Sequence, residues 1–332
     1  MRIFYTLLCV LISVCFLNCH TAEKAKSSSA KKIRVIFDTD TNNELDDQHA
    51  LAYLVFNQST FNIAGITINT TSSGGNIDLQ YAEAIRVLQL CKADTFTVLK
   101  GADKSYTEIL PSMNESSYDG KPAVDFIIKT AMEPTKEKLV IIAVGKLSNI
   151  ALALAKNPSI ENKIRLVWLG SNYPEPGEHN QDNDTVAMNF LLNSKMDFEM
   201  VTVRYGKSSG TDAIKISKAE VEKMMPGAGP HIQQPVTGRH GGAFYCFGDY
   251  SVDLFKNADY YGDPPSRALF DMAAVAIVKN PAWAHVYEHQ APIYNNGHWV
   301  ERPENPRKIK IWENFNRDAI ILDLKNSMNG KN

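Results

Sequence analysis

The sequence predicts an α/β fold, a mostly parallel open β-sheet with helices on both of its faces. Two observations predict this fold. Short apolar segments rich in β-branched residues alternate with segments whose apolar residues recur at helical spacing; strands that are apolar throughout are typical of a parallel sheet covered on both faces. The chain also has 332 residues, 44% of them hydrophobic and 22% charged, an ordinary globular composition that supports a sizeable core.

The predicted elements alternate along the chain. Apolar, β-branched runs predict strands at residues 33–37, 61–68, 97–99, 139–144, 164–169 and, less regularly, 200–203. Helical spacing of apolar residues predicts helices at residues 45–56, 77–91, 124–131, 150–155, 217–225 and 267–278. Because no internal repeat and no clean linker interrupts this pattern, we expect one domain over residues 33–332.

The first residues form a separate unit. Arg2 precedes an almost wholly apolar run, residues 3–17, and Cys19 follows it directly after Asn18. This arrangement is typical of a bacterial lipoprotein signal over residues 1–18, with a lipid attached to Cys19, a flexible tether over residues 19–32 and an exported protein anchored on the periplasmic or cell-surface side of the envelope. A plain signal peptide or an uncleaved anchor remains the alternative.

The number of cysteines and the net charge argue against a disulfide-stabilised fold and against a nucleic-acid-binding protein. Only Cys91 and Cys246 lie beyond the N-terminal segment, so one disulfide is possible but no disulfide framework. The formal net charge is −2, which leaves no basic excess to neutralise a nucleic-acid backbone. We therefore expect a small molecule, and not a nucleic-acid polymer, as the partner.

Four carboxylates follow the first predicted strand: Asp38, Asp40, Asp46 and Asp47. Ligands of parallel α/β sheets bind beyond the carboxyl ends of strands. Crowded carboxylates raise each other's pKa unless a cation is present, and Ca²⁺ accepts irregular oxygen coordination more readily than Mg²⁺. The sequence therefore predicts a calcium site here. The alternative is a solvated acidic loop whose aspartates cap the next helix.

A second interpretation of the same loop is a phosphatase. Asp38-Thr39-Asp40-Thr41 after an apolar strand resembles the nucleophile loop of the haloacid-dehalogenase phosphatases, which use Mg²⁺. That resemblance does not require Asp46 and Asp47 and does not extend to later segments.

The full cluster, Asp-x-Asp followed by Asp-Asp, resembles the signature of the inosine-uridine nucleoside hydrolases. Here five residues separate Asp40 from Asp46, a longer turn than is usual in that family. Further segments match the family in the expected order: Gly65-Ile66-Thr67, Gly75-Asn76, Lys100-Gly101-Ala102-Asp103, residues 144–153, Val167-Trp168-Leu169-Gly170 and residues 269–276. Together they cover residues 33 to about 280.

The resemblance implies a Rossmann-like core and a calcium-dependent glycosidase that cuts the N-glycosidic bond of ribonucleosides, as in purine and pyrimidine salvage. It implies that Asp40 takes a proton from the attacking water. It assigns the metal ligands to Asp40, Asp47, the backbone carbonyl of Ser148, and Asp271. It assigns ribose contacts to Asp46 and Asn189, with Asp38 and Asn76 in support, although Asn76 could merely cap a helix. Family members are often dimers or tetramers.

The residues around the leaving base depart from the family. Phe270 stands where a histidine often precedes the metal-binding aspartate, and Ala187 stands where a glutamate is expected two residues before Asn189. We expect His240 to act as the acid, and Tyr245 or Trp168 to stack on the base. We also expect the polar segment 172–184 to form a loop over the site and to replace the missing sugar contacts.

Three functions therefore compete. The first is a calcium-dependent nucleoside hydrolase. The second is a calcium-containing ribose-binding protein, or a hydrolase of a different N-riboside, on the same fold. The third is a magnesium phosphatase.

Overall fold

A central eight-stranded sheet organises the computed structural model, which describes residues 31–331. In chain order, the strands are β1 (Ile33–Thr39), β2 (Phe61–Ile68), β3 (Val98–Lys100), β4 (Leu139–Ala143), β5 (Ile164–Ser171), β6 (Asp197–Thr202), β7 (Lys215–Ser217), β8 (Val236–Gly238), β9 (Gly241–Phe244), β10 (Ser266–Ala268), β11 (His285–Gln290), β12 (Ile293–Asn295), β13 (His298–Val300) and β14 (Lys308–Glu313). The helices are α1 (Leu45–Phe56), α2 (Ile77–Leu90), α3 (Tyr106–Ile109), α4 (Lys121–Met132), α5 (Ser148–Lys156), α6 (His179–Asn183), α7 (Thr185–Asn193), α8 (Lys218–Met224), α9 (Phe247–Lys256), α10 (Met272–Lys279) and α11 (Arg317–Met328).

The strand order of the large sheet is β11-β14-β6-β5-β4-β1-β2-β3. Every neighbouring pair is parallel except β11 and β14, which are antiparallel at one edge. The remaining strands form two-stranded pairs, β7 with β10, β8 with β9 and β12 with β13. The prediction of a mostly parallel open sheet is confirmed.

The sheet separates two apolar cores. Val35 and Phe37 of β1 contribute to one core, and Ile36 between them contributes to the other, because successive residues of a strand point to opposite faces. Helices α1, α2, α9, α10 and α11 supply the first core, and α4, α5 and α7 supply the second. Burial on both faces explains why the parallel strands are apolar throughout.

The structure corrects the helix predicted at residues 267–278. Ser266–Ala268 forms strand β10, which pairs with β7, and helix α10 begins only at Met272. The apolar residues around Leu269 have helical spacing, so the sequence does not reveal that a strand precedes the helix. That strand forms by pairing with β7, whose residues are far away in sequence. As a result, Asp271 lies at the N-terminal boundary of α10 rather than inside a helix.

The predicted signal over residues 1–18, the anchor Cys19 and almost all of the tether over residues 19–32 lie outside the described residues. Within residues 31–331, no helix is both long and apolar enough to cross a bilayer. Cys91 and Cys246 are both buried free thiols, so the possible disulfide between them is not present in this structure.

Candidate active site

The acidic loop lies at the carboxyl end of β1, in the middle of the sheet. Asp40 begins a turn in which the N–H of Asn43 donates to the Asp40 carbonyl at 2.8 Å. Asp46 and Asp47 follow in the first turn of α1. The Thr39 hydroxyl donates to Asp47 at 2.6 Å. The four aspartates of the loop are therefore turned inward and buried, whereas Glu44 is exposed, and the alternative of a solvated acidic loop is wrong for the aspartates.

The extra residues of this turn have a structural purpose. The Asn42 amide donates to the carbonyl of Gly74 at 2.6 Å, and the Ser73 hydroxyl donates to Asn43. Gly74 has a φ of +77°, and a Cβ there would lie 2.6 Å from the Asn42 carbonyl. The loops after β1 and β2 are thus held to each other by these hydrogen bonds.

A third carboxylate joins from a distant part of the chain. One oxygen from each of Asp46, Asp47 and Asp271 lies within 4.8 Å of the other two, and all three residues are buried. Asp271 precedes α10, yet its side chain makes no capping hydrogen bond, so its carboxylate is free for another purpose. The structure therefore brings together the two acidic stretches whose convergence the sequence predicts.

Asp40 adds a fourth buried carboxylate beside this group. The Thr71 hydroxyl donates to its Oδ2, whereas Oδ1 is buried and has no hydrogen-bond partner among the described residues. Asp38, directly behind it, is fully engaged, because Thr67, Asn69 and Asn149 donate to its two oxygens at 2.6–2.8 Å. Asp38 thus supports the loop, and Asp40 presents an open oxygen.

Burial and like charge act in the same direction on this cluster. Burial, followed by repulsion from neighbouring carboxylates, raises the pKa of Asp47 and of Asp271 well above the usual value. The same causes raise the pKa of Asp46 to about 7. Burial also raises the pKa of Asp40. Such a group is unfavourable on its own and is relieved by a cation.

The donor set fits a hard divalent cation. Three carboxylates converge within 4.8 Å, and the buried Oδ1 of Asp40 lacks a partner next to them. Oxygen-only ligands in an irregular arrangement are what Ca²⁺ accepts. Ser148 is the first residue of α5, and its hydroxyl donates to Asp184 at 2.5 Å; the contribution of its carbonyl to a metal stays a prediction.

A cavity of about 820 Å³ opens above the carboxylates. Asp46, Asp47 and Asp271 line it together with Glu178 and Asn180, which stand at and near the start of α6. Asn180 donates to the carbonyls of two strand-end residues, Val144 and Leu169, and its Oδ1 is buried without a partner. The Asn180 oxygen is therefore available to a polar ligand in the cavity.

Glu178 and Asn180 are a glutamate and an asparagine two residues apart, and both line the cavity. The departure from the family at Ala187 stays a prediction. The carboxylate of Glu178 accepts from the N–H of Gln181 at 2.9 Å, and burial raises its pKa to about 7. Segment 172–184 supplies polar groups to the cavity, but it is not a loop throughout, because His179–Asn183 forms α6.

The cavity also holds aromatic and basic groups near its mouth. The rings of Tyr205 and Phe270 meet edge to face with centroids 5.8 Å apart. His179 lines the cavity, with Nε2 3.5 Å from the Ser73 hydroxyl. Arg267 forms an ion pair with Glu44 at the edge of the cavity. Tyr205 and Arg267 carry no local sequence signal of a site, because they lie in the less regular second half of the chain outside any contiguous motif.

Four predicted substrate residues are placed elsewhere. Trp168 is completely buried, and its indole donates to the Gly145 carbonyl at 3.0 Å, so it cannot stack on a base. Asn189 exchanges hydrogen bonds with the backbone of Tyr294 at 2.7 and 3.0 Å and fastens β12 to α7. Asn76 is the exposed N-cap of α2. Tyr245 follows β9, is 46% exposed and is not part of the cavity lining.

His240 lies beside the cavity rather than inside it. It stands in the turn between β8 and β9, 3.5 Å from Asp253, and lines a smaller compartment of about 200 Å³. Its predicted part in catalysis stays a prediction. Of the described histidines, His179 lines the main cavity.

The chain matches a known family over most of its length. A sequence model of the family described as inosine-uridine preferring nucleoside hydrolase matches residues 35–321. An uncharacterized protein of Schizosaccharomyces pombe is 24% identical over 212 residues, which are 57% of this chain and 66% of that protein. The chain thus spans slightly less than two thirds of this relative.

Solved structures share the fold. A plant nucleoside hydrolase aligns with a TM-score of 0.69 at 16% identity, over 90% of this chain and 99% of that one. A purine-preferring ribonucleoside hydrolase from Gardnerella vaginalis has a TM-score of 0.67 at 18% identity, over 90% and 98%. An inosine-uridine preferring nucleoside hydrolase from Bacillus anthracis has a TM-score of 0.63 at 19% identity, over 90% and 99%. At these identities the likeness establishes the fold.

Proposed function

The chain belongs to the inosine-uridine preferring nucleoside hydrolase family, and from this we propose that it hydrolyses the N-glycosidic bond of a ribonucleoside to ribose and free base with a bound Ca²⁺. One observation carries the proposal: the buried carboxylates of Asp46, Asp47 and Asp271 converge at the cavity, and Asp40 lies beside them with a buried Oδ1 that has no hydrogen-bond partner among the described residues.

Asp40 is the residue best placed to accept a proton. Its Oδ1 is buried, lacks a hydrogen bond and lies beside the three converging carboxylates. Asp40, Asp47 and Asp271 would hold the cation, which when bound lowers the pKa of coordinated water. A carboxylate with an open oxygen next to that position can act as the general base for attack on the sugar.

We assign ribose recognition to Asp46, beside the metal ligands, and to two residues of the 178–180 segment that line the same cavity. Asp46 and the open Oδ1 of Asn180 can accept hydrogen bonds from sugar hydroxyls, and Glu178 adds a third acceptor. N-glycoside cleavage develops positive charge on the ring, as in glycoside hydrolysis generally. Acceptors and carboxylates around the sugar stabilise that charge, so the same groups bind the ribose and favour the transition state.

We place the nucleobase of the substrate near the mouth of the cavity. The rings of Tyr205 and Phe270 offer aromatic surface there, which suits a flat heterocycle. Because Phe270 cannot donate a proton, we assign the leaving-group acid to His179, which lines the cavity. The position of His240 in the side compartment makes it the weaker candidate.

Product analysis tests the proposed function. The purified protein is incubated with inosine, with uridine and with p-nitrophenyl riboside, and free ribose is measured against phosphate release from phosphomonoesters. We expect ribose from the nucleosides, loss of this activity in Asp47→Asn, and full activity in Asp94→Asn, which removes an exposed carboxylate. Phosphate release without ribose would refute the proposal.

The activated substrate also tests the acid. A nitrophenolate leaves without protonation, so His179→Gln should slow inosine cleavage about 100-fold and leave p-nitrophenyl riboside cleavage nearly unchanged. His240→Gln is the matched control. If His240→Gln slowed inosine cleavage selectively and His179→Gln did not, His240 would be the leaving-group acid.

We also propose that the protein is exported and lipid-anchored through Cys19, and that it assembles as a dimer or tetramer. The apolar run before Cys19 supports the first part. Labelling with a radioactive fatty acid should mark the wild type and not Cys19→Ala, and equal labelling would refute the anchor. Sedimentation of the purified protein measures the assembly.

A further inference from the structure

The small compartment beside the cavity is a second polar site. It has a volume of about 200 Å³ and is lined by residues that include Arg239 and His240, from the β8–β9 hairpin. Asn43, Glu44, Tyr261 and Arg267 line both the compartment and the main cavity. A ligand in the cavity can therefore extend a substituent past these shared residues.

Arg239 is a cation in the lining of this compartment without a direct hydrogen-bond partner for its guanidinium in the part of the chain that the structure describes. It is half-buried, and among the described residues its guanidinium has no ion pair and no hydrogen bond. Asp47 and the Tyr250 hydroxyl are close enough to act on its charge. A partly desolvated guanidinium without a partner is unusual, because its donors are suited to a carboxylate or phosphate.

Several of the other ionisable residues in or beside the compartment have partners or are exposed to solvent. Glu44 is engaged by Arg267, whose guanidinium also lies 5.8 Å from the ring centre of Tyr261. His240 lies 3.5 Å from Asp253. Asp259 is exposed to solvent, so its charge is screened. Arg239 is the cation of this lining whose guanidinium makes no ion pair with a described residue.

We propose that this compartment, with Arg239 as its main contact and Arg267 at its entrance, is an anion subsite that receives an acidic substituent of the nucleoside. The inference rests on the proposed function for the position of the nucleoside. The acidic group can belong to the base, as a ring carboxylate, or to the 5′ carbon, as a phosphate. Both are planar or tripodal oxyanions that a guanidinium binds through paired hydrogen bonds.

Matched substrates test the subsite. Orotidine is compared with uridine, and inosine 5′-monophosphate with inosine. We expect kcat/KM for one of the acidic nucleosides to exceed that of its neutral partner at least about tenfold. Arg239→Gln should remove this preference and Arg239→Lys should keep part of it. Lys256→Gln, which removes an exposed charge from α9, should leave the preference intact. The preferred pair identifies whether the acid is on the base or on the sugar.

Two results would overturn the inference. One is a wild type that prefers neither acidic nucleoside. The other is an Arg239→Gln variant slowed equally on acidic and neutral substrates, which would make Arg239 a counter-charge of Asp47.

Binding of product-like probes separates this inference from the proposed function. Calorimetry with orotate against uracil, and ribose 5-phosphate against ribose, needs no turnover. At least about tenfold tighter binding of one acidic probe, lost in Arg239→Gln, supports the subsite even if no nucleoside is cleaved. Equal binding of acidic and neutral probes overturns it even if nucleosides are cleaved.

Discussion

One buried carboxylate of the central sheet and the buried carboxylate cluster below the cavity are built in opposite ways. Glu199 of β6 is 1% exposed and is surrounded by donors: Arg165 at 2.9 and 3.0 Å, Lys310 at 3.0 Å and the Trp312 indole at 2.8 Å. The cluster below the cavity, Asp40, Asp46, Asp47 and Asp271, is equally buried but its members mainly face one another.

The pKa values record this difference. Burial raises the pKa of Glu199, but hydrogen bonds and charges from Arg165, Lys310 and Trp312 outweigh burial and hold the pKa below its usual value. In the cavity cluster nothing outweighs burial and repulsion, and every pKa is raised. A buried carboxylate that has its own counter-charges, such as Glu199, stabilises the fold. A cluster of buried carboxylates without them is typical of a site that binds a ligand.

The substitution Asp271→Asn in the cavity cluster should have the largest effect on activity. We expect kcat for inosine to fall at least about 1000-fold, about 4 kcal/mol, because a metal ligand is lost. In the presence of a chelator the melting temperature should not fall, because the change removes one of several mutually repelling charges. Ribose release and thermal unfolding in EDTA measure the two effects. A destabilised variant with normal kcat would make Asp271 structural.

Two asparagines extend the contrast to uncharged groups. Asn180→Ala should lower kcat/KM about 100-fold, about 2.7 kcal/mol, through loss of a sugar contact. Asn189→Ala should leave kcat/KM unchanged and lower the free energy of unfolding by about 1–3 kcal/mol, because two backbone groups of Tyr294 lose their partner. Steady-state kinetics and urea unfolding of both variants provide the comparison. An inactive Asn189→Ala would restore its predicted sugar role.

Removing the carboxylate of Glu199, which is neutralised by neighbouring cations, should change stability and not activity. We expect Glu199→Ala to lower the free energy of unfolding by about 2 kcal/mol, because the half-buried charges of Arg165 and its neighbours lose their partner. Activity per folded molecule should be unchanged. Glu288→Ala, which removes an exposed carboxylate 3.5 Å from Lys308 on the neighbouring strand, should cost at most about 0.5 kcal/mol. Equal losses would show that burial does not set the effect.

The smallest effect is the pH dependence of Glu199. Its pKa is lower in the folded than in the unfolded protein, so its contribution to stability is fully present above the unfolded pKa of about 4.3. The contribution is lost as the pH falls through the folded pKa. The stability difference between wild type and Glu199→Gln should therefore be constant near neutrality and shrink below about pH 4. A difference that grows on acidification would reverse the assignment.

The sequence predicts the sheet and the acidic cluster because both have local signals. Continuous apolar runs mark buried parallel strands, and Asp40, Asp46 and Asp47 lie within one short segment. Asp271 was found through the family pattern at residues 269–276, since no local feature distinguishes it from a helix cap. The metal roles of these residues stay predictions.

The remaining site residues depend on long-range packing. Trp168 and Asn189 are residue types that often bind ligands. Trp168 lies in a buried strand and points into the core, whereas Asn189 lies on a helix and bonds the backbone of Tyr294. Asn180 lies in a polar segment without a periodic pattern, so only the fold places it and Glu178 in the cavity lining. The partners of Glu199 come from three strands, a juxtaposition that only the fold creates.

Calcium titration of the metal-stripped protein tests the central claim most directly. Calorimetry of the wild type should show one Ca²⁺ bound per chain with a rise in melting temperature, since a ligand that binds the folded state stabilises it. Both signals should disappear in Asp47→Asn and persist in Glu199→Gln. Calcium binding that is absent from the wild type, or unchanged in Asp47→Asn, would contradict the account.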